Sequence, residues 1–340
     1  MKGSEIESTA RALVAAGKGI LAADESTGTI EKRFKNVGIA NNEENRQAYR
    51  ELLFTAPGIE EFISGVILYD ETIRQHVRDG RLMPEALAEG GIFPGIKVDK
   101  GAKNLALYPG EKITEGLDGL RERLAEYRKL GARFTKWRAV IAIGAGIPTR
   151  ACMIANAQAL ARFAALSQEA RLVPIVEPEV LTDGDHPIER CEEATAAMLG
   201  EVFQALAVAR VALEGMLLKP NMVIAGELSP KSVGPDEVAE ATLRCLRRRV
   251  PAAVPGIVFL SGGQNEIQAT ENLNTMNRLG SVPWELSFSY GRALQASALN
   301  AWRGAAENVV AAQKAFYHRA RMNSLARDGK YRREMEKEAA

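Results

Sequence analysis

Short β-rich apolar segments alternate with longer segments of helical periodicity, and this alternation constrains the fold more than any other feature of the chain. Eight segments have the composition of buried strands; they begin at Gly19, Ile63, Ile92, Phe134, Leu172, Gly215, Gly256 and Glu285. Strands that alternate with helices form parallel sheets. Eight repeats at intervals of roughly 30 to 45 residues are typical of a closed barrel rather than an open sheet. The sequence therefore predicts an α/β fold, a single-domain (β/α)8 TIM barrel.

The segments between the predicted strands carry helix start and stop signals. Residues 117–131 end in a glycine suited to a left-handed cap, and residues 235–249 begin with proline and close with arginines. We expect the barrel to occupy residues 1–326. The remaining residues, 327–340, are polar and charged and predict a charged C-terminal tail, either mobile or forming a solvated helix.

Composition narrows the possible partners. The 44 basic and 43 acidic residues give a formal net charge of +1, so no global field attracts nucleic acid or an anionic membrane. Cys152, Cys191 and Cys245 are odd in number and widely spaced, which favours a reducing compartment. The first residues are polar and acidic, and no apolar run is long enough to span a membrane. We expect a soluble cytoplasmic protein that binds neither nucleic acid nor membranes.

Ionisable residues occur near the carboxyl ends of predicted core strands, where Val, Ile and Leu are expected. They are Asp24, Lys97, Asp99, Lys136, Arg138, Glu177, Glu179 and Lys219. Most of them form pairs two residues apart, and alternation along a strand directs both members of a pair to the same side. Because the chemistry of such barrels lies at the carboxyl ends of the strands, these residues predict one active site at the barrel mouth.

Lys219 closes an apolar run and is followed at once by Pro220. An ordinary lysine, with a pKa of about 10.4, is protonated at neutral pH and cannot act as a nucleophile. Burial and a nearby cation such as Lys136 or Arg138 would disfavour its charge. A neutral amine can form a Schiff base with a carbonyl substrate, and the iminium then accepts electrons as the neighbouring carbon–carbon bond breaks. Such cleavage needs a base, and we expect Glu177 and Glu179 to have pKa values pushed apart so that one is protonated while the other accepts a proton.

Two glycine-rich segments predict a phosphate site. Residues 259–264, FLSGGQ, and 288–292, FSYGR, close strands seven and eight, where barrels bind phosphate with backbone amides and a helix N-terminus. Arg292 adds a fixed cation. At the opposite rim, residues 24–33, DESTGTIEKR, together with Lys97 could bind a second phosphate. The sequence therefore predicts a phosphate site, and a substrate with two phosphates would find cations at both ends of the cavity.

Seven motifs carry a family resemblance: GILAADEST, GIKVDKG, KWRAVI, VPIVEPE, LLKPNMV, FLSGGQ and FSYGRALQASAL. In their order and spacing, from about Gly17 to Gly329, the chain resembles the class I fructose-bisphosphate aldolase family. The resemblance implies reversible aldol cleavage of fructose 1,6-bisphosphate to dihydroxyacetone phosphate and glyceraldehyde 3-phosphate, in glycolysis and gluconeogenesis. It also implies an enzyme without cofactor or metal that assembles as a homotetramer.

Residue roles are implied by the same resemblance. Lys219 would be the Schiff-base lysine and Glu177 the general acid and base, with Lys136 and Glu179 as charge partners. Asp24 would orient the substrate hydroxyls and the amine. Ser261, Gly262 and Arg292 would bind the phosphate of the ketone half, while Lys97, Arg138 and residues 26–33 would receive the aldehyde-end phosphate. The full predicted substrate-binding set is Ser26, Thr29, Lys32, Arg33, Arg46, Lys97, Arg138, Ser261, Gly262, Gly263, Ser289, Gly291 and Arg292.

The chain departs from the family pattern at its C-terminus. Vertebrate members end in a terminal tyrosine that assists proton exchange at the enamine carbon, whereas this sequence ends in EKEAA and Tyr331 does not match that position. We expect enamine protonation to be slower or to use another group, and the preference between bisphosphate and monophosphate sugars stays open. Thr29 stands where many relatives have serine and keeps the hydroxyl.

Three alternatives remain open. Another Schiff-base barrel, such as a transaldolase-like or deoxysugar aldolase, takes one phosphate, so affinity retained without Lys97 and Arg138 would favour it. A metal-dependent aldolase would need ligands at metal spacing, which the histidines His76, His186 and His318 do not have; undiminished turnover in chelator would exclude it. A noncatalytic scaffold would show no turnover.

Overall fold

A computed structural model describes residues 5–337 and contains a closed barrel of eight parallel strands. The eight predicted strands are confirmed: β1 (Gly19–Ala22), β2 (Ile63–Leu68), β3 (Phe93–Lys97), β6 (Phe134–Ile141), β7 (Val173–Val180), β8 (Leu217–Leu218), β9 (Gly256–Phe259) and β10 (Glu285–Tyr290). They lie in chain order around the barrel, and β10 pairs with β1 to close it. The predicted (β/α)8 barrel is therefore confirmed.

Helices surround the strands. Over residues 5–337 they are α1 (Glu5–Leu13), α2 (Thr27–Asn36), α3 (Glu43–Phe54), α4 (Met83–Glu89), α5 (Leu120–Lys129), α6 (Arg150–Glu169), α7 (Ile188–Val208), α8 (Pro235–Arg249), α9 (Glu266–Arg278), α10 (Arg292–Trp302) and α11 (Val309–Arg327). The predicted signals are confirmed, since α8 begins at Pro235 and Gly131 after α5 has a left-handed φ of 102°. None of these helices is long and apolar enough to cross a membrane.

The barrel interior is apolar at its amino end. Phe134 fills it, and glycines on nearby strands make room for its ring. A Cβ added at Gly95 would lie 2.3 Å from the ring of Phe134, and one at Gly65 would lie 3.0 Å from the same ring. Helix α1 closes this end by inserting Leu13 into the interior cluster. The open part of the barrel interior, with its polar residues, is therefore at the opposite, carboxyl end.

A short antiparallel hairpin, β4 (Ala102–Asn104) and β5 (Lys112–Thr114), follows β3 and was not predicted. Every residue of β4 is exposed, so the strand has no apolar alternation to reveal it. Glu111 in its turn accepts hydrogen bonds from the backbone N–H and the hydroxyl of Thr149, at 2.7 and 2.6 Å. The hairpin is thereby fixed next to the start of α6.

The segment expected to be a mobile tail or a solvated helix ends in a short 3-10 helix without buried residues, Arg333–Lys337, but it is anchored at Tyr331, which was not predicted. Tyr331 is only 5% exposed; its backbone N–H donates to Asn274 Oδ1 at 3.0 Å and its hydroxyl to Glu336 at 2.8 Å. Glu336 also accepts from the buried guanidinium of Arg319 at 2.7 Å. One aromatic ring and one charged anchor dock this otherwise polar segment against α9 and α11. Residues 338–340 lie outside the described residues.

Candidate active site

A cavity of about 670 Å³ opens at the carboxyl end of the barrel. The ionisable residues predicted at the strand ends converge on it: Asp24, Lys97, Asp99, Lys136, Arg138, Glu177, Glu179 and Lys219. Side-chain alternation along β6 and β7 is what places them there, because residues two apart face the same side. The predicted convergence at the barrel mouth is confirmed.

Two buried lysines and two carboxylates form the centre of the site. Lys136 Nζ lies 2.8 Å from Asp24 Oδ2 and 2.9 Å from Glu177 Oε2. Lys219 Nζ lies 3.4 Å from Glu177 Oε1, on the other side of the same carboxylate. The side chains of Lys136 and Lys219 are 5% and 4% exposed. Lys219 is therefore inside the cavity wall and next to a proton acceptor.

The sequence around Lys219 explains how the lysine is held. Strand β8 is only two residues long because Pro220 has no N–H to continue the ladder. The backbone N–H of Lys219 still donates to the carbonyl of Val176 at 2.8 Å. The side chain of Asn221 then takes the place of a backbone acceptor, because its oxygen accepts a hydrogen bond from the N–H of Val180 on β7 at 3.0 Å. The carbonyl of Pro220 also accepts from the backbone N–H of Leu260 at 3.1 Å, so the backbone is held at Lys219 and at the residue after it.

Burial lowers the pKa of Lys219 below that of an ordinary lysine. Lys136 adds to this effect by like-charge repulsion, whereas Glu177 opposes it. The direction agrees with the sequence-based expectation. Lys219 is therefore more readily deprotonated than a surface lysine.

Lys136 shows the opposite behaviour. Burial by itself would lower its pKa, but Asp24 and Glu177 outweigh burial, and the pKa of Lys136 is raised. Burial would likewise raise the pKa of Asp24 and Glu177, but Lys136 and Lys219 lower both below their ordinary values. Lys136 is consequently a fixed cation, and both carboxyl groups are ionised in the resting site.

Glu179 has a different partner from Glu177. It contacts the guanidinium Nε of Arg138, and its carboxylate lies against the loop after β9. A Cβ at Gly262 would come within 2.9 Å of Glu179 Oε1, so a larger residue there would displace this carboxylate. The expected splitting of pKa values between Glu177 and Glu179 is not confirmed for Glu177, whose pKa is lowered by cations. The two carboxylates pair with different cations instead: Glu177 with Lys136 and Lys219, and Glu179 with Arg138.

The glycine-rich rim gathers the loops after β9 and β10. Its cavity-lining residues are Ser261, Gly262, Gly263, Ser289, Gly291 and Arg292. Helix α10 begins at Arg292, with Gly291 as its N-cap. The hydroxyl of Ser289 is buried and has no hydrogen-bond partner among residues 5–337. A helix N-terminus, a cation and an unpartnered hydroxyl therefore face the same part of the cavity.

Helix α2 supplies a polar face on the neighbouring rim. Ser26, Thr29, Lys32 and Arg33 all line the cavity, at spacings that bring them to one side of the helix. The hydroxyl groups of Ser26 and Thr29 lie 3.1 Å apart. Arg33 was expected at the aldehyde end, but its guanidinium lies beside the glycine-rich rim, 3.5 Å from where a Cβ at Gly291 would stand.

Lys97 lies on β3 and is held by the other member of its strand pair. Its Nζ is 2.6 Å from Asp99 Oδ1, and Asp99 also accepts from the backbone N–H of Arg138 at 3.2 Å. The side chain of Lys97 is 15% exposed and lines the cavity. Asp99 therefore fixes the second cationic position of the site.

One predicted binding residue lies elsewhere. Among residues 5–337, Arg46 is absent from the cavity lining and instead pairs with Glu71, with its Nε 2.8 Å from Glu71 Oε2. Sequence reasoning also missed Glu25, which lines the cavity and is buried. Its position directly after Asp24 was the only available signal, and strand alternation suggested that it would face away.

The fold and the site define a (β/α)8-barrel enzyme with a buried amine among carboxylates at its catalytic end. A family model described as glycolytic, class-I fructose-bisphosphate aldolase, matches residues 5–340. The chain belongs to the class I fructose-bisphosphate aldolase family.

Individual relatives agree over almost their whole length. The chain is 57% identical over 329 residues to a probable fructose-bisphosphate aldolase class 1 of Xanthomonas campestris, covering 96% of this chain and 98% of the relative. It is 56% identical to fructose-bisphosphate aldolase 5, cytosolic, of Arabidopsis thaliana, over 96% of this chain and 91% of the relative. A solved structure of the Plasmodium falciparum aldolase superimposes with a TM-score of 0.95 at 54% identity, covering 96% and 95% of the two chains.

Membership of this family gives the reaction. The chain is a carbon–carbon lyase that cleaves fructose 1,6-bisphosphate reversibly into dihydroxyacetone phosphate and glyceraldehyde 3-phosphate. Class I members proceed through a lysine Schiff base, and the reaction is a step of glycolysis.

Proposed function

We propose that Lys219 is the nucleophile of this aldolase and that Glu177 moves the protons. The amine of Lys219 adds to the substrate ketone, and Glu177, ionised at rest, accepts the proton that the amine loses. Glu177 returns that proton to the hydroxyl that leaves as water, which gives the iminium. The observation that carries the proposal is the buried Lys219 Nζ, 3.4 Å from Glu177 Oε1.

Bond cleavage then uses the same pair of residues. Glu177, again a carboxylate, accepts the proton of the substrate hydroxyl while the carbon–carbon bond breaks and its electrons enter the iminium. Glyceraldehyde 3-phosphate leaves, and the enamine is protonated and hydrolysed to dihydroxyacetone phosphate. Lys136 holds Asp24 and Glu177 ionised, and Asp24 orients the substrate hydroxyls. Glu179 keeps Arg138 in place as a charge partner.

The two phosphates bind at opposite parts of the cavity in this proposal. The glycine-rich rim receives the phosphate of the ketone half, with the unpartnered hydroxyl of Ser289 and the N-terminus of α10 as donors. Lys97 and Arg138, with the hydroxyls of Ser26 and Thr29, receive the phosphate of the aldehyde half. Only a substrate with two phosphates uses both parts.

The substrate test compares fructose 1,6-bisphosphate with fructose 1-phosphate in the variants Lys97→Met and Arg138→Gln. We expect kcat/KM for the bisphosphate to fall about tenfold or more in each variant, because a charge-assisted contact is lost, while fructose 1-phosphate is cleaved as before. Lys103→Met, in the exposed strand β4, is the control for losing a nearby cation. Unchanged affinity for the bisphosphate would instead favour an aldolase for singly phosphorylated sugars.

We also propose a cytoplasmic homotetramer. Support for the location is the name of the Arabidopsis relative, which is cytosolic. Light scattering should give four times the mass of one chain, and the mass of a single chain would contradict the assembly.

A further inference from the structure

Glu25 lies next to Asp24 in sequence but uses a separate set of partners. Its carboxylate contacts Arg33 Nη1 through Oε1 and lies 2.5 Å from Arg50 Nη1 through Oε2. The amide of Gln295 also donates to Oε1, at 2.9 Å. Glu25 lines the cavity although its side chain is only 4% exposed. Nothing in the proposed proton transfers requires this buried carboxylate.

The groups behind Glu25 are themselves fixed. Gln295, 1% exposed on α10, donates to the carbonyl of Ala22 at 2.7 Å and accepts from the hydroxyl of Tyr49 at 3.1 Å. Arg50, on α3, is 3% exposed. The position of the Glu25 carboxylate is therefore set by the end of β1 and by two helices that pack there.

Arg33 has less support of its own. Its side chain is 24% exposed. Without Glu25, such a long cationic side chain would extend towards solvent. Glu25 binds one edge of the guanidinium, through Nη1, while Nη2 lies beside Gly291. Gly291 caps the start of α10, between the cavity-lining residues Ser289 and Arg292. The guanidinium thus points into the rim proposed to bind the ketone-half phosphate.

We propose that Glu25 is a positioning residue that holds Arg33 against the glycine-rich rim, where Arg33 becomes a phosphate ligand. This inference rests on the proposed function, in which that rim binds the phosphate of the ketone half. Two guanidinium groups share one carboxylate, so the cluster keeps a net positive charge, and Arg33 is the member of the two that lines the cavity. Glu25 fixes the geometry of Arg33 without cancelling its attraction for an anion.

Positioning and simple charge neutralisation predict opposite results. If Glu25 only offset the charge of Arg33, Glu25→Gln would strengthen phosphate binding, and Glu25→Asp would change little. If Glu25 positions Arg33, both variants weaken phosphate binding. Glutamine lacks the charge that holds the guanidinium, and aspartate keeps the charge but is too short to reach Arg33. The sign of the change in Glu25→Gln separates the two roles.

The experiment measures KM and kcat for fructose 1,6-bisphosphate and the dissociation constant of dihydroxyacetone phosphate in both variants. We expect KM and the dissociation constant to rise about tenfold, the loss of roughly one charge-assisted hydrogen bond, with kcat changed much less. Glu25→Gln leaves Arg50 without its buried partner, which threatens folding. The double variant Glu25→Gln/Arg50→Met removes both charges, and it should keep the parent Tm while showing the same weakened binding.

A double-mutant cycle with Arg33→Ala shows whether Glu25 acts through Arg33. We expect Glu25→Asp to have no further effect on binding once Arg33 is alanine. Additive effects, tighter binding in Glu25→Gln, or parent-like binding in all Glu25 variants would overturn the inference. Failure of the proposed function is distinguishable, since it would remove the covalent adduct on Lys219 from the parent enzyme itself.

Discussion

Lys136, on β6, and Lys219, directly after β8, are buried in the same cavity, and the two lysines have pKa values shifted in opposite directions. Lys136 lies 2.8 and 2.9 Å from two carboxylates, whereas Lys219 lies 3.4 Å from one. Burial disfavours the charge of both. The number and closeness of the carboxylates therefore decide which lysine stays charged.

In the proposed mechanism, this difference divides the chemistry between two residues of the same type. Lys136 is the permanent cation that keeps Asp24 and Glu177 ionised, and Lys219, with its lowered pKa, is the proposed nucleophile. Glu177 lies between them and contacts both. The ion pair between Asp24 and Lys136 is the contact that makes the surroundings of the two lysines unequal.

The largest effect should follow loss of the nucleophile. Lys219→Met removes the only group proposed to bond with the ketone, so we expect kcat to fall by at least about 10⁴-fold in a coupled assay of fructose 1,6-bisphosphate cleavage. Lys18→Met, at the amino end of the barrel, should retain the parent rate. If kcat of Lys219→Met stayed within tenfold of the parent value, another residue would have to be the nucleophile.

Removing the shared carboxylate should be the next largest effect. Glu177→Gln removes the proton carrier, and we expect kcat to fall by about 10² to 10⁴. Because Glu177 raises the pKa of Lys219, its loss should also move the midpoint of adduct formation to lower pH. Formation of the adduct as a function of pH measures this shift, and an upward movement would contradict the assigned contacts.

The two lysines should also differ in their effect on stability. Lys136→Met leaves Asp24 and Glu177 buried around a missing cation, and we expect the free energy of unfolding to fall by about 3 to 5 kcal/mol. Lys219→Met removes an amine whose burial is unfavourable, and should leave that free energy unchanged or slightly higher. Urea unfolding of both variants provides the comparison. Equal losses would show that the two sites are not electrostatically distinct.

Acid should weaken the parent through the same carboxyl groups. The folded pKa values of Asp24 and Glu177 lie below their ordinary values of 3.8 and 4.5, so their stabilisation is present above these values and is lost as the pH falls through the folded ones. In Lys136→Met the loss of stability as the pH falls below 4.5 and on through the folded pKa values should be shallower. An equally steep fall would mean that other carboxyl groups dominate acid unfolding.

Much of the fold follows from patterns local in the sequence. The eight strands were predictable because each is a short apolar run, and the paired ionisable residues were predictable because alternation along one strand is a local rule. Strand β4 carries no such signal because all of it is exposed. The docking of Tyr331 depends on Asn274 and Glu336, which meet it only in the folded chain.

Partner choice within the site was the part that local patterns could not give. Glu177 and Glu179 are two residues apart, yet one contacts two lysines and the other contacts Arg138. Glu25 was missed because its partner Arg50 comes from α3, which no local pattern connects with the end of β1. Such pairings depend on how helices pack around the barrel.

The most direct test of the central claim is borohydride reduction in the presence of dihydroxyacetone phosphate, followed by peptide mapping. Both lysines line the same cavity, so access alone does not distinguish them. We predict a stable adduct on Lys219 and none on Lys136, because only Lys219 has a lowered pKa. An adduct on Lys136, or no adduct on either lysine, would contradict the account.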